Sequence, residues 1–481
     1  MARFSLWYNP RDFLTLGENN EKLAFAGALF AFAVTSASAI DVVSKDGKVD
    51  FGSRFEATVI TNNVDGGWEM IWGPKEQLWL IERAGRNIMS IDSKAGEKTV
   101  LYHFANAYEK FPHQGVLGLA LEPNFDAGEP YAYAAYTYVD GEKKFARIVR
   151  LIYDAKANKL GDEQIVIDHI IASVEHNAGR IKFSPDGKLY YTTGDLGYNQ
   201  GKHVCDEITS QKLPTAEQVK NHDHSAYNGK TLRINKDGSI PDDNPVIKGV
   251  KSHVYTYGHR NPQGLVWVGN HLYSTEQSPS SDDELNKLEA GGNYGWPHVA
   301  GFKDDLAYVY ANYSAAVNCP TVKYDPNVIP EGVPTQKETD YKEPVVDPVK
   351  TFFTVNNDYN YTNATCGKLA YICWPTIAPG NAVYYPKDGV IPEFRNSLLL
   401  ATYKSGSIYQ VKMNEDASNV QGDTGKYFTS ANRYRNALVS PDTRKIYVVT
   451  DNMGNGRQLD DTPTSKMANP GSIIVFEYIG Q

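Results

Sequence analysis

Two arginines near the C-terminal end, Arg433 and Arg435, stand two residues apart in the run Ala431-Asn432-Arg433-Tyr434-Arg435-Asn436. Alternate side chains of an extended segment share a face, so both guanidiniums point the same way. Like charges held together cost free energy unless an anion lies between them, and the planar guanidinium suits bidentate pairing with carboxylate or phosphate. The chain carries a formal net charge of −9 at pH 7, so this basic spot is local. The chemistry it points to is recognition of an anionic ligand; the plainer reading is a solvated strand face. The acidic balance argues against nucleic acid as the main partner, a role that needs a basic face.

The elements that must position such a pair are read from a repeat. Gly73-Pro74-Lys75-Glu76-Gln77-Leu78-Trp79-Leu80, Ser184-Pro185-Asp186-Gly187-Lys188-Leu189-Tyr190-Tyr191, and Ser440-Pro441-Asp442 leading to Ile446-Tyr447-Val448-Val449 each join a turn to an apolar or aromatic strand. Weaker copies begin near Pro123, Val268 and Arg395, so six units start between positions 74 and 441 at a mean spacing of about 73 residues. In the Pro-Asp-Gly turn, Pro presets φ and Gly accepts a positive φ. The 32 Tyr and 40 Gly suit a turn-rich β protein. Strand units recurring at this period, with no helical periodicity between them, predict an all-β six-bladed propeller whose blades bury their faces against one another. Residues 201–228, 312–349 and 356–365 lengthen individual units and are expected as loops on one face, where function collects.

Residues 1–39 are expected to lie outside this fold. The apolar run Leu23 to Val34, followed by Ser36-Ala37-Ser38-Ala39, has the form of an export signal cleaved after Ala39. Residues 40–481 are then the mature propeller, periplasmic or secreted. Four cysteines are present, at 205, 319, 366 and 373. In an exported chain Cys366 and Cys373 are expected to close a small loop; Cys205 and Cys319 are not assigned. No CxxC pair or His-rich spacing points to zinc.

Seven stretches, in order, resemble the soluble quinoprotein glucose dehydrogenases, which depend on pyrroloquinoline quinone (PQQ) and form six-bladed propellers. They are Leu117-Gly118 before Glu122-Pro123-Asn124-Phe125; Glu175-His176-Asn177-Ala178-Gly179-Arg180; and Tyr190-Tyr191-Thr192-Thr193-Gly194-Asp195. Gly258-His259-Arg260-Asn261-Pro262-Gln263-Gly264-Leu265, Gly291-Gly292-Asn293-Tyr294-Gly295-Trp296-Pro297, Tyr371-Ile372-Cys373-Trp374-Pro375-Thr376 and Asn432-Arg433-Tyr434-Arg435 complete the set. The similarity runs from about Asn62 to Glu477.

The resemblance implies oxidation of an aldose at its anomeric carbon. His176 would be the general base, a task suited to a group titrating near neutrality, and Asp195 its orienting carboxylate. Arg260, Asn261, Thr376, Lys404, Arg433 and Arg435 would hold the three carboxylates and the rings of PQQ. The substrate pocket would be lined by His113, Glu175, Gln200, Tyr371 and Trp374. Calcium, which takes oxygen ligands including carbonyls, would sit on the main chain of Ser278 and Pro279. A second calcium would use Glu284, Tyr294, Ala300, Asp304 and Glu338, Tyr294 and Ala300 through main-chain oxygens. The electrons would pass to an external acceptor, and a homodimer is implied as well.

Three departures from the family pattern stand out. Ser278 replaces Gly at the first calcium step, His113 (with Gln114 beside it) stands where the family has Gln, and Glu175 stands where it has Asp. The last two predict an altered aldose preference with the reaction type kept. Two competing readings are a calcium-dependent propeller lactonase, which has no need of clustered Arg and Lys, and a non-catalytic propeller that binds sugars or protein partners.

Overall fold

The computed structural model describes residues 54–362 and 365–480. The expected export signal lies outside the described residues. Among them the backbone forms six four-stranded antiparallel sheets and three two-stranded ribbons. The innermost strands of the six sheets are Gly67–Trp72, Val116–Leu121, Ile181–Phe183, Pro262–Val268, Pro379–Tyr385 and Tyr434–Val439. Each touches the next, and the last touches the first, which closes the ring of a six-bladed propeller.

All six sequence repeats fall on the same structural place, the hairpin joining the innermost strand of a blade to its second strand. Every one of these turns holds a residue with positive φ: Lys75 (56°), Gly128 (109°), Gly187 (76°), Gly269 (57°), Asn396 (53°) and Thr443 (58°). Local turn chemistry sets the reversal. In blade three the Ser184 hydroxyl accepts the Lys188 amide at 3.0 Å, and in blade six Ser440 accepts Lys445 at 2.8 Å. Thr443 therefore adopts, at some cost, the conformation that Gly187 takes freely.

The buried apolar residues divide into clusters that lie between neighbouring blades. Trp68, Trp79 and Ile88 of blade one pack with Leu119, Ala134 and Leu151 of blade two. Equivalent layers join two to three, three to four, four to five, five to six and six to one. No blade can bury its own faces, so the ring is the stable unit. It closes by exchange: the outermost strand of blade six is Phe55–Thr61, paired antiparallel with Ile473–Tyr478, Phe55 opposite Tyr478.

Polar groups fill the axis. Arg180, fully buried at the entry to blade three, donates through Nη1 to the Trp68 carbonyl at 3.0 Å and pairs with the Glu69 carboxylate of blade one; its Nε reaches the Gln263 carbonyl of blade four. Lys182 Nζ meets the other Glu69 oxygen at 2.8 Å. Burial alone would raise the Glu69 pKa, but Arg180 and Lys182 hold it below its ordinary value.

The loop of residues 201–228 is tied at an interior point and at its C-terminal end by one side chain. Lys230 is fully buried, and its ammonium donates to the carbonyls of Asn228 at 2.7 Å, Ser210 at 2.8 Å and Thr209 at 3.3 Å. Burial brings its pKa down to about 7. Between that value and the roughly 10.4 of an exposed lysine, the folded state binds fewer protons than the unfolded one, so stability rises with pH across the window. Lys230→Met should strand the three carbonyls, lower stability by about 2–3 kcal/mol, and flatten the rise between pH 7 and 10. Urea unfolding at several pH values measures both effects.

Candidate active site

The singled-out residues gather at one rim because of where they stand in the repeat. One group precedes an innermost strand: His113, Glu175, His176, Arg260, Asn261, Trp374, Thr376 and Arg433, with Arg435 inside the strand. Another follows a second strand: Asp195 after Leu189–Thr193, Ser278 after His271–Glu276, and Lys404 after Ser397–Thr402. In antiparallel blades these two places are the same end of the sheet.

His176 is held in a left-handed conformation, φ 48°, two residues before Ala178 at 50°. Such a backbone is uncommon outside glycine. The strand end beside it is Gly194, where a Cβ would come within 1.9 Å of the His176 carbonyl, so only glycine lets the two segments approach. Through that approach His176 Nδ1 lies 2.7 Å from Asp195 Oδ1. Asp195 also accepts the Gly197 amide at 2.9 Å and the Trp296 indole N–H at 2.9 Å. With Nδ1–H donating to the carboxylate, the ring keeps Nε2 as a base.

His113 Nδ1 accepts the His176 amide at 3.3 Å, so its remaining proton sits on Nε2 and is available for donation. Burial, reinforced by the charges of His176, Arg435, Arg83 and Arg433, holds the His113 pKa well below its ordinary value. Gln114, its neighbour, points away and donates to Ser173 O at 2.9 Å. Gln200 joins two other residues of the set: its Nε2 donates to Glu175 Oε2 at 3.1 Å and its Oε1 accepts Arg260 Nη2 at 3.3 Å.

The cations are clustered and buried. Arg433 Nε lies 3.4 Å from Asp451 Oδ2, and Arg435 pairs with the same oxygen. The two guanidiniums thus share a face, as the extended spacing predicts, and the solvated-face reading fails because Arg435 is buried. Burial would raise the Asp451 pKa, but Arg435 and Arg433 keep it low. Arg83, fixed to the Gln114 carbonyl at 2.7 Å, faces the same carboxylate electrostatically. Three guanidiniums therefore share one carboxylate, and Arg435 Nε and Arg260 Nε are buried without a hydrogen-bond partner. Lys404, drawn down to about 7 by burial against the pull of Asp283, donates to Thr376 Oγ1 and to Trp374 O at 3.2 Å. This surplus positive charge fits a ligand with several carboxylates.

Asn261 is buried, its amide between Gln277 and Gln263. Tyr371 is partly exposed, accepts Asn455 Nδ2 at 2.7 Å and meets Trp374 edge-on at 6.5 Å. The expected Cys366–Cys373 disulfide is present, and a second, Cys205–Cys319, joins segments the sequence leaves unpaired. The Ser278 carbonyl lies 3.4 Å from Arg260 Nη1. Glu284 accepts Gly301 N at 2.7 Å and Glu338 accepts Ala300 N at 2.9 Å, so Glu284, Ala300 and Glu338 converge. Asp304 joins them through its amide, 3.4 Å from Glu338. The Tyr294 hydroxyl accepts the Glu289 amide at 2.9 Å and donates to the Lys287 carbonyl, so only its main-chain oxygen is left for the role the resemblance implies. Burial pushes Glu338 up to about 7 and Glu284 well above its ordinary value, and Asp282 Oδ2 nearby is unpartnered. These oxygen donors suit a hard cation, although among the described residues no group of three or more His, Cys, Asp or Glu is arranged to hold a metal.

Residues 64–344 match the glucose / sorbosone dehydrogenase family. Over 438 residues the chain is 40% identical to quinoprotein glucose dehydrogenase B of Acinetobacter calcoaceticus, covering 88% of this chain and 91% of that one. The chain belongs to the glucose / sorbosone dehydrogenase family. The family resemblance read from the seven stretches is borne out. The PQQ-bound aldose sugar dehydrogenase of Streptomyces coelicolor is similar in fold, with a TM-score of 0.59 at 24% identity over 88% of this chain and 98% of that one. The apo aldose sugar dehydrogenase of Escherichia coli gives 0.62 at 21%, over 88% and 99%.

Sequence reasoning missed Asp451, Arg83, Asp283 and Trp296 of this family member. A signal for two of them lies in the repeat: Arg83 and Asp451, like Asp195 and Lys404, stand one or two residues past a second strand. Asp451→Asn should leave three guanidiniums facing one another and cost about 3–5 kcal/mol of stability. Urea unfolding with and without citrate checks this, citrate recovering more stability in the variant than in the wild type.

Proposed function

We propose that the protein is an exported quinoprotein dehydrogenase that oxidises the anomeric carbon of aldoses to the lactone and passes the electrons to an external acceptor. The observation that carries this reading is the His176–Asp195 pair beside the cationic surplus of Arg83, Arg433 and Arg435. His176 Nε2 takes the proton of the anomeric hydroxyl, while Asp195 fixes the tautomer and steadies the imidazolium that forms. Arg433, Arg435 and Lys404 hold the carboxylates of PQQ, with Arg260, Asn261 and Thr376 beside them. PQQ supplies the two-electron acceptor for the carbon-bound hydrogen, and calcium on the Ser278 and Pro279 carbonyls supplies Lewis acidity. Glu284, Tyr294, Ala300, Asp304 and Glu338 are the proposed ligands of a second calcium. Tyr371 and Trp374 wall the pocket with aromatic surface. Two disulfides suit an oxidising compartment, and among the described residues no helix is long and apolar enough to cross a membrane. Association as a homodimer is part of the proposal, checked by light scattering.

Apoprotein given PQQ and calcium should reduce a dye with aldoses, and chelation should abolish the activity until calcium returns. His176→Gln should lower kcat at least about 10²-fold with cofactor affinity kept. Arg433→Ala should weaken PQQ binding by about 1.5–3 kcal/mol. No turnover on any aldose would sink the reading, and loss of cofactor alone in both variants would sink the division of roles.

Glu175 and His113 set the aldose preference in this reading. Glu175 is oriented by Gln200, and His113 presents a donor rather than an acceptor. Broad acceptance of aldoses is expected, with the double exchange Glu175→Asp and His113→Gln moving kcat/KM towards glucose. Unchanged ratios between sugars would show that these positions do not read the hydroxyls.

A further inference from the structure

The insertion of residues 312–349 meets the blade cores at its end, through Val346 and Val349. It lies between the third and fourth strands of blade four, Asp283–Leu288 and Lys350–Phe352, after the chain has returned to the candidate rim at Trp296, whose indole meets Asp195. Two fastenings hold it at the site's mouth. Asn199 Nδ2 donates to Ala311 O at 2.8 Å and its Oδ1 accepts Ser314 N at 3.1 Å. The Cys205–Cys319 disulfide, closing 114 residues with Cα atoms 5.7 Å apart, ties the insertion to the loop that starts at Gly201. Tyr313, Ala316 and Val333 form a small core there with Val204 and Val322.

Asn199 adjoins Gln200, the residue that links Glu175 to Arg260. Five residues past the disulfide comes Tyr324, its ring 5.3 Å from that of Tyr313 and 36% exposed. Val328 and Ile329 follow, also exposed. The Tyr324 hydroxyl feels the charges of Arg260 and Glu175. Exposed aromatic and aliphatic groups on a loop latched to Asn199, next to Gln200, have a use at a sugar site. A pyranose presents C–H faces as well as hydroxyls, and an aromatic ring covers the first while a phenol pairs with the second. The latch removes freedom that the loop would otherwise lose on binding.

We propose that the latched insertion is a specificity wall of the sugar pocket, with Tyr324 contacting the end of the substrate remote from the oxidised carbon. This rests on the aldose dehydrogenase reading given above. Removing the wall should impair long substrates more than short ones, and through KM, because contacts remote from the reacting carbon bind the ground and transition states alike.

The test compares glucose with the disaccharide cellobiose on the holoenzyme. Tyr324→Ala should raise KM for cellobiose about tenfold more than KM for glucose, and Tyr324→Phe should recover most of that difference by keeping the ring. Opening the latch with Cys205→Ser and Cys319→Ser should shift the KM ratio in the same direction. Tyr324→Leu serves where the alanine variant does not fold. Saturation-transfer NMR without electron acceptor gives a readout independent of turnover: the distal ring of cellobiose should receive saturation from the wild type and lose it in the variant. No turnover on either sugar overturns the catalytic reading alone, and the wall is then judged by NMR. An unchanged KM ratio, or unchanged distal-ring saturation, overturns the wall.

Discussion

The guanidinium of Arg180 is the point on which the rest of the molecule converges. It sits where six innermost strands meet and bonds blade three to blades one and four, while its partner Glu69 reaches blade five through Asn381. A buried ion pair of this kind adds little net stability, since desolvation offsets the attraction. What it supplies is position. Arg180 ends the segment that carries Glu175 and His176, so the same side chain that fills the axis also sets the height of the proposed base above it. Trp68 lies between this floor and the cations of the rim, with Arg435 4.2 Å and Arg180 5.9 Å from its ring centre. Floor and rim are thus one electrostatic column, and a ligand resting on it meets positive charge whose geometry is set from below.

Repetition explains how one rim holds both proton chemistry and anion binding. The position just past the second strand is Arg83 in blade one, Asp195 in blade three, Lys404 in blade five and Asp451 in blade six. All four stand within two residues of the strand end, and the neighbours decide the role. Asp195 receives an imidazole, an indole and an amide, so its charge serves to orient a ring. Asp451 receives two guanidiniums on one oxygen, so its charge is used up in holding them together. Placement by the fold and function by local chemistry are separate matters in this molecule.

The fold was legible because its signals are short. Each turn and the apolar residues after it lie within a dozen residues, and all six copies, two of them Ser-Pro-Asp, mark the same hairpin. The Arg433–Arg435 pair was legible for the same reason, as alternation along a strand needs no knowledge of the rest. Asp451 as their shared partner was not, because 16 residues of strand and turn separate it from Arg435 and only the hairpin brings them together. The Cys205–Cys319 bridge spans two insertions from different blades, and nothing in spacing selects it. Trp296 is a further case: it leaves blade four and returns to Asp195 across 101 residues. His176 itself was readable only through its motif, since its left-handed backbone depends on the space that Gly194 leaves open.

The exchange of strands in blade six bears on how such a chain is made. Phe55–Thr61 emerges early in synthesis but has no sheet to join until Ile473–Tyr478 has been added, more than four hundred residues later. Every other blade can assemble its four strands from a continuous stretch, yet the ring that buries their faces stays open. The last blade cannot lock before Ile473–Tyr478 is made, so closure of the ring waits on it. The same arrangement makes Phe55–Thr61 and Ile473–Tyr478 mutually dependent, and a nascent chain cut short anywhere before Ile473 has an unpaired edge for the quality-control machinery to recognise.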